Sequence, residues 1–259
     1  MNISVELVEN LISEQFSQWK YLKIELVKKS GHDNRTFHLS EKMTVRLPSG
    51  KAYEPQVQKE AKWLPILAKD LTLPITEPVV KGHPTKEYPF ERSVNKWLSG
   101  DTVNKNNVNL SLFAEELAKF LLEFERINAS NGPIAGLHNF YRGGDLSVYD
   151  SETKKALIKL EGKINIENCQ LIWQQALSSK WERELVWVHG DIASGNLLVQ
   201  NGHLAGVIDF GILDTGDPSC DLAMAWTFFD KESLEIFIKS MNLDEGTWDR
   251  AKGWHYGRH

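Results

Sequence analysis

The sequence predicts an α+β chain in two lobes: a strand-rich front lobe with one main helix, then a mostly helical back lobe. Three observations predict it. Short alternating runs of apolar and polar residues crowd the stretch from Tyr21 to Leu98. Apolar residues at intervals of three and four dominate from Leu112 onward. Between the two regimes stands Ser99-Gly100-Asp101, a turn, so the lobes are expected at 1–98 and 99–259.

The elements follow in chain order. Val5, Val8, Leu11, Ile12 and Phe16 define an opening amphipathic helix. Tyr21 to Lys29, Arg35 to Leu39 and Lys42 to Leu47 read as successive antiparallel strands, closed by the turn Pro48-Ser49-Gly50. Val57, Ala61, Leu64 and Ala68 predict a helix from about Glu54 to Lys69, interrupted or kinked near Pro65. Strands are expected over Glu77 to Lys81 and Phe90 to Leu98.

In the back lobe, Phe113, Leu117, Phe120, Leu121 and Phe124 belong to the strongest helical pattern of the chain. A Gly-rich connection from Asn128 to Asp150 follows, and its length marks it as a functional insertion. Helices are expected over Thr153 to Leu160 and Glu167 to Ser179. Leu185 to Val188 reads as a strand, and Leu197 to Gln200 and His203 to Ile208 as a hairpin around Asn201-Gly202. Three further helices are expected at Ser219 to Phe229, Glu232 to Met241 and Glu245 to Lys252. This order of elements suggests a bilobal protein-kinase-like fold.

Composition narrows the function. The 259 residues include 41% hydrophobic and 25% charged, ordinary for a globular protein. Thirty Lys and Arg against 35 Asp and Glu leave a net charge of −5, which argues against a nucleic-acid or anionic-membrane partner and is compatible with a cationic one. Two cysteines, Cys169 and Cys220, cannot build a disulfide scaffold and lack metal-site spacing. No apolar run reaches the ~18 residues that span a bilayer, and the acidic N-terminus is unlike a signal peptide, so a cytoplasmic protein is expected.

The chemistry concentrates in His189-Gly190-Asp191-Ile192-Ala193-Ser194-Gly195-Asn196, followed across the hairpin by Ile208-Asp209-Phe210-Gly211. Phosphoryl transfer needs a carboxylate to accept or orient the proton of the attacking hydroxyl. It also needs oxygen ligands that hold Mg²⁺ against nucleotide phosphates. HxDxxxxN followed by DFG is the kinase catalytic set, and the two halves together are far more specific than either alone.

These segments resemble the aminoglycoside phosphotransferase family, kinase relatives with an HGDxxxxN loop. The likeness continues through Gly216-Asp217-Pro218-Ser219-Cys220-Asp221, through Asn34-Arg35-Thr36-Phe37 with Val45-Arg46-Leu47, and through Trp97-Leu98-Ser99-Gly100. The resemblance implies Asp191 as catalytic base, and Asn196 and Asp209 as Mg²⁺ ligands. It further implies that His189 braces the loop and that Asp221 anchors it. In the front lobe Arg46 stands where kinases carry a phosphate-binding lysine, and Glu60 is its expected helix partner. The loop Ser30 to Asn34 would cover the nucleotide, although with one glycine it lacks the GxGxxG pattern. The adenine would contact backbone near Lys96 and Leu98.

The resulting expectation is a small-molecule kinase that transfers the γ-phosphoryl group of ATP or GTP to an aminoglycoside-like or other small hydroxylated acceptor, cationic ones included. The rival reading is a nucleotide-binding pseudokinase, motivated by Arg46 and the glycine-poor loop. The chain is also expected to be C-terminally truncated relative to the family, with Trp248 and Trp254 left in an exposed apolar patch that favours self-association.

Overall fold

The opening helix α1 (Val5–Gln15) starts where the Ser4 hydroxyl accepts from the Leu7 amide at 3.2 Å, and it buries Val8, Leu11 and Ile12. The computed structural model describes residues 3–27, 31 and 33–256. The chain divides into two compact units. The first comprises Met1–Asp70, Pro74–Ser99 and Gly206–Gly211, and the second Leu71–Leu73, Gly100–Ala205 and Ile212–His259.

In the first unit, β1 (Ile24–Leu26), β2 (Asn34–Leu39), β3 (Met43–Pro48), β4 (Pro78–Gly82) and β5 (Arg92–Lys96) form one sheet in the order β1-β2-β3-β5-β4. Every pairing is antiparallel, with Arg46 opposite Thr36 on one side and Ser93 on the other. The expected first strand is shorter than its alternation suggests, because Tyr21 sits in an exposed turn after the 3-10 turn Ser17–Trp19. Helix α2 (Glu54–Leu67) runs through Pro65 without interruption. Pro65 is exposed near the helix end, while Leu64 and Leu67 on the buried side hold the last turn. The core joins α1 to the sheet through Phe37, Leu39, Val45, Leu47 and Val94.

The returning segment Gly206–Gly211 is tied to the first unit by backbone bonds. The Val207 amide donates to Pro74 O at 3.1 Å, and the Thr76 amide donates to Val207 O at 3.3 Å. Residues 74–76 and 207 thereby fix where Asp209 emerges.

The second unit is mostly helical: α3 (Leu110–Glu125), α4 (Asp150–Lys159), α5 (Ile166–Ser178), α6 (Ala225–Phe228), α7 (Lys231–Met241) and α8 (Glu245–Tyr256). Helix α3 packs on α7, and α5 on α8. Two small sheets join them. One holds β6 (Asp101–Thr102), β8 (Leu197–Gln200) and β9 (His203–Val207), and the other pairs β7 (Val186–Val188) with β10 (Asp214–Gly216). Asn201 and Gly202 both have positive φ, 54° and 84°, the backbone that a two-residue hairpin of type I′ requires.

One expected helix breaks. Ser219 to Phe229 resolves into a 3-10 turn (Pro218–Cys220), further turns and the short α6. Proline at 218 and the anchoring of Asp221 described below commit this stretch to turns.

Among the described residues, Trp248 and Trp254 do not form the expected exposed apolar patch. Helix α8 continues to Tyr256, and Trp248 and Trp254 are only 7% and 2% exposed. Trp254 packs with Leu146, Trp173, Ala176 and Val188, and the Arg142 guanidinium lies 5.0 Å from its ring. Among the described residues no helix is long and apolar enough to cross a membrane.

Candidate active site

Strand β7 delivers the chain into the loop 189–196, and Asp221 suspends the start of that loop. Its Oδ2 accepts from the His189 amide at 2.7 Å and its Oδ1 from the Gly190 amide at 2.8 Å. Both bonds are buried, so the carboxylate satisfies two donors that water does not reach. Gly190 has φ +81°, and a side chain there would meet Ile212 O at 3.0 Å, so the turn requires glycine.

The His189 side chain, 0% exposed, is a brace. Its Nδ1 lies 3.1 Å from the Asp191 amide and accepts that proton, which places the ring's own proton on Nε2. Asn196 grips Asp191 from the far end of the loop. Its Nδ2 donates to Asp191 O at 2.9 Å and to Asp191 Oδ2 at 3.0 Å. The amide nitrogen is thus committed to orienting the carboxylate, and Oδ1 is the Asn196 atom suited to a cation.

In the first unit Arg46 bridges two carboxylates. Its Nη1 donates to Glu60 Oε1 at 2.7 Å, and its Nη2 makes a short ion pair with Asp209. The sequence anticipates Glu60 but not Asp209, which lies 163 residues away. A planar guanidinium with separate arms spans two acceptors in a way that a lysine ammonium does not. Burial alone would lower the Arg46 pKa, but the Asp209 and Glu60 charges outweigh it and hold the guanidinium protonated. Burial pushes the Glu60 carboxyl up, with Arg46 opposing. Asp209 has φ +67°, in the left-handed region that aspartate tolerates better than most residues, and its side chain is partly exposed.

Ser30 lies outside the described residues. Asp33 Oδ2 accepts from Gln56 Nε2 at 3.3 Å, and Gln56 packs against Gly211 so closely that an added Cβ would meet its Oε1 at 2.6 Å. Nothing in the sequence singles out Gln56, a buried polar residue on α2. Lys96 turns out to spend its own groups locally: its amide donates to Glu77 O at 2.9 Å and its ammonium pairs with Glu77 at 2.5 Å. The Lys96 amide is therefore not available to a base. Leu98, just beyond β5, is half-buried.

Two further charged features escape the sequence. Arg250 on α8 pairs with Asp217 at 2.6 Å, both side chains buried. Glu125, near the Asp217 and Asp221 carboxylates, is pushed up to about 8 by burial first and by those two charges second.

Asp209 in the first unit carries a carboxylate and Asn196 in the second an amide oxygen, each by itself a hard donor of the kind that suits Mg²⁺. Among the described residues no cluster of three His, Cys, Asp or Glu side chains is arranged to hold a metal. A sparse donor set fits a cation that takes most of its ligands from phosphates and water.

Solved structures share the kinase-like fold of this chain. The GDP complex of aminoglycoside 2'-phosphotransferase-IIIa matches with a TM-score of 0.81 at 15% identity, over 99% of this chain and 89% of that one. The streptomycin–ATP complex of APH(2")-IIa gives 0.66 at 20% identity, over 98% and 86%. Macrolide 2'-phosphotransferase MphH from Brachybacterium faecium gives 0.68 at 15% identity, over 96% and 87%. A search of curated proteins finds no match. The model of the APH phosphotransferase enzyme family matches residues 25–254, nearly the whole chain, and the protein belongs to that family.

Proposed function

We propose that this protein is a cytoplasmic small-molecule kinase that transfers the γ-phosphoryl group of ATP or GTP to a hydroxyl of a small acceptor. Residues 1–98 serve the nucleotide, and 99–259 carry catalysis and the acceptor. The carrying observation is the loop 189–196, in which Asp191 is oriented by Asn196 and hung on Asp221.

Asp191 accepts or orients the proton of the acceptor hydroxyl as its oxygen bonds to the γ-phosphorus. The bond from that phosphorus to the bridging oxygen breaks, and the nucleoside diphosphate leaves with the electron pair. Asn196 Oδ1 and Asp209 would each offer an oxygen to Mg²⁺, which would supply neutralisation of the phosphate charge. Arg46, positioned by Glu60, supplies the fixed positive charge on the nucleotide side, and Leu98 with the Lys96 carbonyl offers backbone to the base. The similar structures support the nucleotide: their descriptions name GDP and ATP.

Asp191→Asn tests the reading. A near-isosteric loss of the base costs about 10²–10⁴ in rate, while nucleotide affinity by tryptophan fluorescence stays within a few-fold. Turnover above about a tenth of wild type removes Asp191 from this role. The Arg46–Asp209 pair favours one rival, a pseudokinase in which Asp209 is withheld from the metal. Nucleotide binding that is insensitive to Mg²⁺ would select that rival.

A further inference from the structure

Within the second unit lies a cavity of about 260 Å³ whose lining includes the residues that follow the proposed base in the chain. The three residues after Asp191, Ile192 to Ser194, form one wall, Met224, Thr227 and Phe228 another, and His255 of α8 a third. Among the described residues, none that lines it carries a carboxylate, and none is Lys or Arg. The Thr227 hydroxyl donates to Met224 O at 3.0 Å, so its oxygen can still accept from a ligand. The His255 ring lies over Trp226, centroids 6.5 Å apart and 28° from parallel.

We propose that this cavity selects a small, uncharged hydroxylated acceptor with an apolar edge, rather than a polycationic aminosugar. This rests on the phosphotransfer reading above. An ammonium group drawn from water into a wall of Met, Phe, Ile and Ala loses hydration and finds no carboxylate among the described residues of that wall to replace it. A hydroxyl is served by Ser194, Thr227 and His255, while the apolar edge of a pyranoside or cyclic diol covers Met224 and Phe228. The volume is below the range of about 300–1,000 Å³ that takes drug-sized ligands, so the bound portion is the size of a single substituted ring.

The test compares kcat/KM for uncharged alkyl and aryl pyranosides and cyclic diols with that for kanamycin, using Mg²⁺-ATP and the full chain. At least one neutral probe should exceed kanamycin by about tenfold or more. Thr227→Asp, an exposed position that adds a carboxylate to the wall, should lower the KM for kanamycin and raise it for the neutral probe. Kanamycin turned over as well as or better than every neutral probe overturns the proposal, as does a neutral panel that nowhere exceeds acceptor-free ATP hydrolysis. That acceptor-free hydrolysis separates the two readings. If it survives Asp191→Asn unchanged, phosphotransfer by this loop fails, whichever acceptor class is preferred.

Discussion

Removing the Asp221 carboxylate should detach the catalytic loop without touching the nucleotide side. Asp221 is 3% exposed and accepts two buried backbone donors, His189 N–H and Gly190 N–H. In Asp221→Ala both donors lose their acceptor at about 1–3 kcal/mol each, so the variant should be less stable by about 2–6 kcal/mol. Asp221→Asn keeps one acceptor and turns an amide N–H toward the other donor, so it should lose about half as much. Urea unfolding at constant m-value measures both. The loop would still carry Asp191 but no longer hold it in place, and a misplacement of about 1 Å costs on the order of 10² in rate. The expected signature is therefore a fall in kcat with nucleotide affinity retained. A midpoint for Asp221→Ala within about 0.5 kcal/mol of wild type would show that the two amides do not depend on this carboxylate. A parallel loss of nucleotide affinity and kcat would show that Asp221 acts through the whole fold rather than through the loop.

Three other outcomes follow from the buried charges. Arg46→Ala strands Glu60 in the interior and should cost about 3–5 kcal/mol, and a double-mutant cycle on nucleotide affinity with Glu60→Ala should be non-additive; additivity within about 0.5 kcal/mol would separate the pair. Glu125, raised to about 8, keeps its proton in the folded state where the unfolded chain has lost it. Its contribution is fully present below the unfolded value and fades as pH rises through about 8, so stability measured from pH ~5 to ~9 should fall, and Glu125→Gln should flatten that slope. Arg250→Lys keeps charge near Asp217 but gives up the fork that also reaches Ser179 and Thr247, so acceptor KM should rise with nucleotide affinity unchanged, a split that steady-state kinetics reads directly.

What the sequence made legible is what depends on local chemistry. Helix α3 is visible because its apolar period is uninterrupted over Phe113, Leu117, Phe120, Leu121 and Phe124. The β8–β9 hairpin is visible because Asn201-Gly202 tolerates two positive φ values. The loop 189–196 is visible because an aspartate and an asparagine at that fixed spacing, with DFG following, are rare by chance. Long-range charge pairing is not legible. No local pattern links Arg46 to Asp209 or Asp217 to Arg250, and the cavity wall is assembled from three separate stretches of chain. The stretch 219–229 has helical composition, yet its carboxylate is needed to hold another loop, and that long-range demand overrides its period.

The segment from Asp217 to Asp221 explains how two distant parts of the second unit keep a fixed spacing. Asp217 Oδ1 accepts from the Ser219 amide at 3.0 Å, which caps the 3-10 turn, while its Oδ2 holds Arg250 of α8 at 2.6 Å. Arg250 in turn donates to Ser179 Oγ at 2.8 Å, past the end of α5, and to Thr247 Oγ1 at 3.1 Å. Four residues after Asp217, Asp221 holds the amides of His189 and Gly190. One turn therefore carries a carboxylate for α8 at one end and a carboxylate for the loop 189–196 at the other. His255 rides on α8, and Ile192 to Ser194 ride on the loop, so the distance between these two cavity walls is set by the turn. A buried Arg–Asp pair contributes little net stability over apolar packing. Its value here lies in direction: the guanidinium fixes which way α8 faces, and α8 fixes where the His255 ring stands in the cavity wall.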